Sequence, residues 1–154
     1  MCKEVKTATA LCVNYLIKDH HKILKYEEID MADTLENTIS ILEKLVGFKS
    51  ISGQPTHEII NYIKNYLSDF NISSSLSFDQ DGQRSNLFAT IGPKIDGGIV
   101  LNGHMDVVPV IGQKWNTDPF VLTRKGDYLY GRGSVDMKGF LACLLAAIPY
   151  FKNA

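Results

Sequence analysis

The chain has 154 residues, with 16 basic and 17 acidic side chains, a formal net charge of −1, 45% hydrophobic residues and 21% charged ones. That balance gives no electrostatic case for nucleic acid or for an anionic membrane as a partner, and the length is enough for one domain with a real core. Cys2, Cys12 and Cys143 are odd in number and far apart, so they make neither a disulfide framework nor a CxxC site and fit a reducing compartment. The longest apolar run, Phe140 to Ile148, has nine residues, where a membrane span needs roughly 20. Ala8 to Val13 makes a weak signal-peptide core, so the expectation is a cytoplasmic protein.

Residues 1–32 resist assignment and are set apart as an N-terminal extension, expected to be poorly ordered. Val13 to Ile17 suits a short helix or a strand. His20 and His21 are adjacent, and neighbours on a helix point about 100° apart, so a structural or solvent-facing role is expected for them rather than metal ligation.

From Thr34 to Val46 the spacing predicts an amphipathic helix, capped by Asp33 or Thr34, with Leu35, Ile39, Leu42 and Val46 on its apolar face and Gly47 as its stop. A loop follows to Pro55, a residue suited to the first turn of the next helix. That helix is expected to reach about Phe70, with Ile59, Ile63, Tyr66 and Phe70 on one face and His57 at the surface. Ile72 to Phe78 alternates apolar residues with serine and predicts a half-buried strand. Asp79 to Gly82 predicts a turn and Asn86 to Ile91 a second strand. Ile99-Val100-Leu101 lacks alternation, which predicts a central strand covered on both faces. Phe120–Thr123 and Tyr128–Tyr130 suggest a hairpin. Lys138 to Ile148 predicts a helix ended by Pro149, with Cys143 in its core-facing side. Helices, mixed strands and a returning helix add up to an α/β layer fold.

Two motifs carry the chemistry. Asn102-Gly103-His104-Met105-Asp106 follows the apolar run, and in open α/β sheets ligands gather beyond the carboxyl ends of strands. Gly131-Arg132-Gly133-Ser134-Val135-Asp136-Met137-Lys138-Gly139 sets a second carboxylate just before an apolar helix. A neutral imidazole and a carboxylate both suit a borderline ion such as zinc. Asp106, two positions past His104, is placed to hydrogen-bond the distal ring nitrogen. The plain alternatives are a helix cap for Asp136 and a satisfied strand-end histidine for His104. Lys138 supplies charge without an evident catalytic part. No GxSxG nucleophile elbow and no GK[ST] phosphate loop occurs.

GHMDVVP, then W-x-x-D-P-F, then LYGRGSVDMKGF resemble the metallopeptidase family that includes acetylornithine deacetylase, succinyl-diaminopimelate desuccinylase, aminoacylase and carboxypeptidases. SNLFATIGP, DPF and DMKGF look most like the acetylornithine deacetylase branch. The resemblance covers residue 33 onward. It implies the N-terminal part of a metallopeptidase catalytic domain at 33–154, with a mixed central sheet flanked by helices and no lid or dimerisation domain. It further implies zinc or cobalt, two ions in a complete site, with His104 as ligand of one, Asp136 as the bridging carboxylate and Asp106 as the catalytic residue that orients the histidine. The peptide after Asp136 is expected to be cis. The implied reaction is hydrolysis of an N-acyl amino acid, N2-acetyl-L-ornithine to ornithine and acetate in arginine biosynthesis; the desuccinylase, aminoacylase and carboxypeptidase branches are the alternatives. Beyond Asp136 the sequence has no acidic residue and no histidine, whereas the family places a general-base glutamate and further ligands there. The expectation is therefore an incomplete N-terminal portion, inactive and metal-poor by itself. Its missing half would come from a second chain, or else it is a non-catalytic remnant with an apolar sheet face left exposed.

Overall fold

The computed structural model describes residues 10–15, 31–92 and 96–153. In chain order the elements are β1 (Ala10–Tyr15), α1 (Met31–Gly47), α2 (His57–Asp69), β2 (Ser74–Phe78), β3 (Ser85–Ile91), β4 (Ile99–His104), β5 (Thr123–Lys125), β6 (Tyr128–Tyr130) and α3 (Lys138–Asn153). His20 and His21 lie outside the described residues.

Four strands form a mixed sheet in the order β2-β3-β1-β4, and β5 and β6 form a separate hairpin. β1 runs parallel to β3 and antiparallel to β4. The first 32 residues thus contribute a strand to the middle of the sheet, and the open choice at Val13 resolves as strand.

Period-two alternation decides which face is covered. In β3, Ser85, Leu87, Ala89 and Ile91 are buried while Phe88 is exposed. The helices pack on the Leu87 face, where Ile41, Leu45 and Val46 of α1, Ile59, Ile63 and Leu67 of α2 and Leu141, Leu145 and Ile148 of α3 share one core with Leu87, Ala89 and Ile91. Each such side chain, fully removed from water, is worth about 1.5–3 kcal/mol. On the opposite face Phe88 is 45% and Val100 61% exposed, so among the described residues the sheet has one covered face.

Several local expectations need correction. Among the described residues β4 lies at an edge of the sheet, not at its centre with both faces covered, and Ile99 and Val100 are exposed. An unbroken apolar run records side-chain type, not the number of neighbouring strands. α1 starts three residues before Thr34, so neither Asp33 nor Thr34 caps it; Thr34 is internal, and its carbonyl accepts from the Thr38 hydroxyl at 2.8 Å. The buried stripe of α1 is Ile41, Leu42, Leu45 and Val46, and Leu35 is exposed. Pro55 lies just outside α2, whose cap position is Thr56; that side chain accepts from Ser85 N–H at 3.3 Å and fastens the helix to the start of β3.

A further correction concerns Pro149, which lies inside α3 rather than ending it. Proline has no N–H, so the carbonyl four residues earlier, that of Leu145, loses its helical donor. The Tyr66 hydroxyl donates to that carbonyl at 3.0 Å. A tyrosine on α2 therefore repairs the defect and welds two helices together. Cys143 on the same helix is exposed, not core-facing, and is a free thiol. The hairpin is also displaced: its first strand begins at Thr123 and pairs Thr123 with Tyr130.

Tyr66→Phe should remove the donor and destabilise the chain by about 1 kcal/mol, read from the midpoint of urea unfolding. In a Pro149→Ala background the cost should be smaller, because the restored N–H serves the Leu145 carbonyl.

Candidate metal centre

β4 ends at His104, and the chain leaves the sheet through Met105, which is fully buried, and Asp106. The second loop is a tight turn. Ser134 N–H donates to the Gly131 carbonyl at 3.2 Å, and Lys138 N–H donates to the Gly133 carbonyl at 2.8 Å as α3 begins. Gly133 has φ of +80°, and a Cβ there would sit 2.6 Å from Val107 Cγ1. Only glycine allows both that backbone conformation and so close an approach of the two loops. The Asp136–Met137 peptide is cis, as the resemblance implies.

These loops bring His104 and Asp136 together. His104 Nε2 lies 3.0 Å from Asp136 Oδ1. On the other side of the ring, Nδ1 lies 2.9 Å from the Asp106 carbonyl oxygen and 3.4 Å from Asp106 Oδ1. Asp106 meets the ring mainly through its backbone carbonyl, not through the carboxylate. A carbonyl can only accept, so Nδ1 carries the proton and the Nε2 position faces a carboxylate oxygen. Two acceptors face each other there unless a proton or a cation lies between them. Burial opposes the imidazolium, but the Asp106 carbonyl, the Asp136 carboxylate and the charges of both outweigh it and hold the ring above its ordinary 6.5.

A metal ion fits this donor set. Ligand atoms about 2.0–2.2 Å from a tetrahedral zinc stand about 3.4 Å apart, close to the 3.0 Å found between Nε2 and Oδ1. The Asp136 side chain is 86% exposed, which leaves its second oxygen open for a further ion. Among the described residues no group of three His, Cys, Asp or Glu converges on the site. The cleft around it has a volume of about 310 Å³, and its walls include Ser52, Val108, Arg132 and Val135. The Arg132 guanidinium lies 5.0 Å over the Trp115 ring and donates to Gln113, which attaches the 112–118 loop to the cleft wall.

Two residues, one inside the second motif and one far from both, were not legible as site residues. Lys138 is completely buried, and its Nζ donates to the Phe48 carbonyl at 2.8 Å. Burial pushes its ammonium down to about 8, with the Asp106 charge opposing that shift. Ser52, from the loop between α1 and α2, donates to Asp106 Oδ2 at 2.6 Å. The Asp-Met-Lys-Gly string could have signalled the lysine's burial; nothing in the local sequence points from Ser52 to Asp106.

Residues 100–154 match the family described as Peptidase family M20/M25/M40. Residues 100–154 thus carry part of an M20 peptidase family domain. It is 35% identical over 124 residues to acetylornithine deacetylase of Buchnera aphidicola subsp. Schizaphis graminum, an overlap covering 77% of this chain and 32% of that protein. It is 40% identical over 119 residues to succinyl-diaminopimelate desuccinylase of Nautilia profundicola, covering 76% and 30%. It is 44% identical over 109 residues to the desuccinylase of Legionella pneumophila strain Lens, covering 68% and 27%. Human carnosine dipeptidase 1 shares the fold, with a TM-score of 0.57 at 22% identity over 79% of this chain and 29% of that one. The overlap spans about a third of the curated relatives' length.

The raised His104 pKa makes a signed prediction for the metal-free chain. The stability supplied by the doubly bonded imidazolium is fully present below 6.5, the ordinary value, and is lost as pH rises through the raised folded value. The unfolding free energy of the parent should therefore fall relative to that of His104→Ala across this window, as followed by urea titration at a series of pH values.

Proposed function

We propose that this chain provides the His104 and Asp136 side of the metal centre of a metal-dependent amide hydrolase acting on N-acyl amino acids. The supporting observation is the 3.0 Å approach of His104 Nε2 to Asp136 Oδ1, with the opposite ring nitrogen anchored on Asp106. His104 Nε2 and Asp136 Oδ1 would hold the ion, zinc or cobalt. A bound ion supplies Lewis-acid polarisation of the amide carbonyl and lowers the pKa of water. Asp106 keeps the His104 proton on Nδ1, so that Nε2 is free to ligate. Gly133 lets the Asp136 loop close on the His104 loop. Buried Lys138 fixes the end of α1 against the start of α3.

Catalytic zinc sites use three protein ligands. The reading therefore calls for further ligands and a general base from outside the described residues, from a second chain or from other parts of the same protein. Deacetylation of N2-acetyl-L-ornithine is the first choice of reaction, supported by the acetylornithine deacetylase relatives. Desuccinylation of N-succinyl-diaminopimelate is the second, favoured by the higher identities of 40% and 44%.

The test is to mix the chain with a polypeptide carrying the remaining two thirds of an acetylornithine deacetylase relative, with zinc or cobalt, and to assay acetate release. Hydrolysis is expected from the mixture and only background from the chain alone. His104→Ala or Asp136→Ala should each lower the mixture's rate by at least about 10²-fold, the scale of losing a group that stabilises transition-state charge. Cleavage of the succinyl substrate alone would select the second reaction. No metal-dependent hydrolysis of either substrate would contradict the proposal.

A further inference from the structure

Neither the motifs nor the relatives' names assign any part to the segment between α1 and α2, yet it touches both ligand-bearing loops. Ile51 and Val107 form a parallel β-bridge. Val107 N–H donates to the Ser50 carbonyl at 2.9 Å, and Ser52 N–H donates to the Val107 carbonyl at 2.9 Å. The Ser50 hydroxyl, buried, donates to the Met105 carbonyl at 2.7 Å. At the other end of the segment, the Phe48 carbonyl takes the Lys138 ammonium at 2.8 Å. Residues 48–52 are thus stitched along 105–107 and pinned to the residue two positions after Asp136.

From this scaffold the Ser52 hydroxyl reaches the functional carboxylate. It donates to Asp106 Oδ2 at 2.6 Å, with a longer contact of 3.3 Å to the Val107 carbonyl. Asp106 has one oxygen committed to Ser52, and its other oxygen, Oδ1, is turned toward His104 Nδ1 at 3.4 Å. A carboxylate free to rotate would spend part of its time with neither oxygen toward the ring. A short hydroxyl–carboxylate bond is among the stronger hydrogen bonds available, and this one fixes that rotation.

We propose that Ser52 is a positioning residue for the metal centre: it holds the Asp106 carboxylate against the Nδ1 side of the His104 ring, beside the Asp106 carbonyl that takes the ring proton, and so supports the orientation that presents Nε2 to Asp136. The proposal rests on the reading of His104 and Asp136 as metal ligands, but its mechanical part concerns only this chain's own side chains.

Zinc is titrated in competition with a chromophoric chelator into the mixture of the full 154-residue chain with the polypeptide that supplies the remaining ligands, the chain being parent, Ser52→Ala, Ser52→Thr, Asp106→Ala and the double variant Ser52→Ala/Asp106→Ala. Ser52→Ala should weaken zinc binding about 10-fold, the lower end of what loss of a partner behind a metal ligand costs. Ser52→Thr keeps the hydroxyl and should restore binding to within about 2-fold of the parent on the same reasoning. The double variant should bind no more weakly than Asp106→Ala, because Ser52 acts through Asp106. A change that acted through the fold would add to the Asp106 loss and would not be rescued by threonine. Equal zinc affinity in parent and Ser52→Ala, or full additivity in the double variant, would overturn the proposal.

A second readout needs no metal. In the metal-free chain, 15N NMR of the imidazole should show the His104 Nδ1 resonance displaced, and its proton exchanging faster, in Ser52→Ala but not in Ser52→Thr. An unchanged Nδ1 resonance in Ser52→Ala would also overturn it. Failure of the parent mixture to bind zinc, with the Nδ1 displacement present in the metal-free chain, would count against the metal-ligand reading and leave the positioning role standing.

Discussion

The His104 ring, held between the Asp106 carbonyl and the Asp136 carboxylate, is the interaction on which the rest of the site depends. One nitrogen is committed to an atom that can only accept, so the other must meet Asp136 either as a proton donor or as a ligand to a cation. The Asp106 backbone carbonyl fixes which nitrogen plays which part. The strand end, the tight turn at Gly133 and the bridge from 48–52 to 105–107 all serve to hold the Asp106 carbonyl and the Asp136 carboxylate on opposite sides of the His104 ring, at 2.9 Å and 3.0 Å from its two nitrogens.

This arrangement has a cost, and the fold meets it locally. A lysine ammonium with no exposed surface lies directly behind the site, and burying a charge is expensive unless it is paired or hydrogen-bonded. The Phe48 carbonyl and the nearby Asp106 charge compensate Lys138. The same logic applies at α3, where the proline that breaks one backbone bond is matched by a tyrosine that serves the orphaned carbonyl. Both repairs are made by side chains from elements distant in sequence. They bind the α1–α2 half of the chain to the half that carries the Asp136 loop.

What was legible in the sequence follows from the same physics. His104 and Asp136 stand in dense local motifs whose glycines announce tight turns, and the structure brings both to one site. The helices and the β2–β3 turn were legible because apolar spacing and turn chemistry are local signals. The position of β4 was not, since Ile99-Val100-Leu101 carries the same composition at an edge as in the centre. Pro149 was misread as a stop because the compensating hydroxyl of Tyr66 lies 83 residues earlier in the chain. Ser52 and Lys138 escaped for a related reason: a serine in a loop and a lysine at a helix start have surface roles by default. Only the three-dimensional path of residues 48–52 places them beside Asp106.

The most direct measurement of the central claim is zinc-edge anomalous diffraction from zinc-soaked crystals of this chain in complex with the polypeptide that supplies the remaining ligands. The account predicts an anomalous peak within about 2.0–2.2 Å of both His104 Nε2 and an Asp136 carboxylate oxygen, with Nδ1 still on the Asp106 carbonyl. A peak at other residues with His104 and Asp136 still bonded directly to each other, or no peak at saturating zinc, would contradict it.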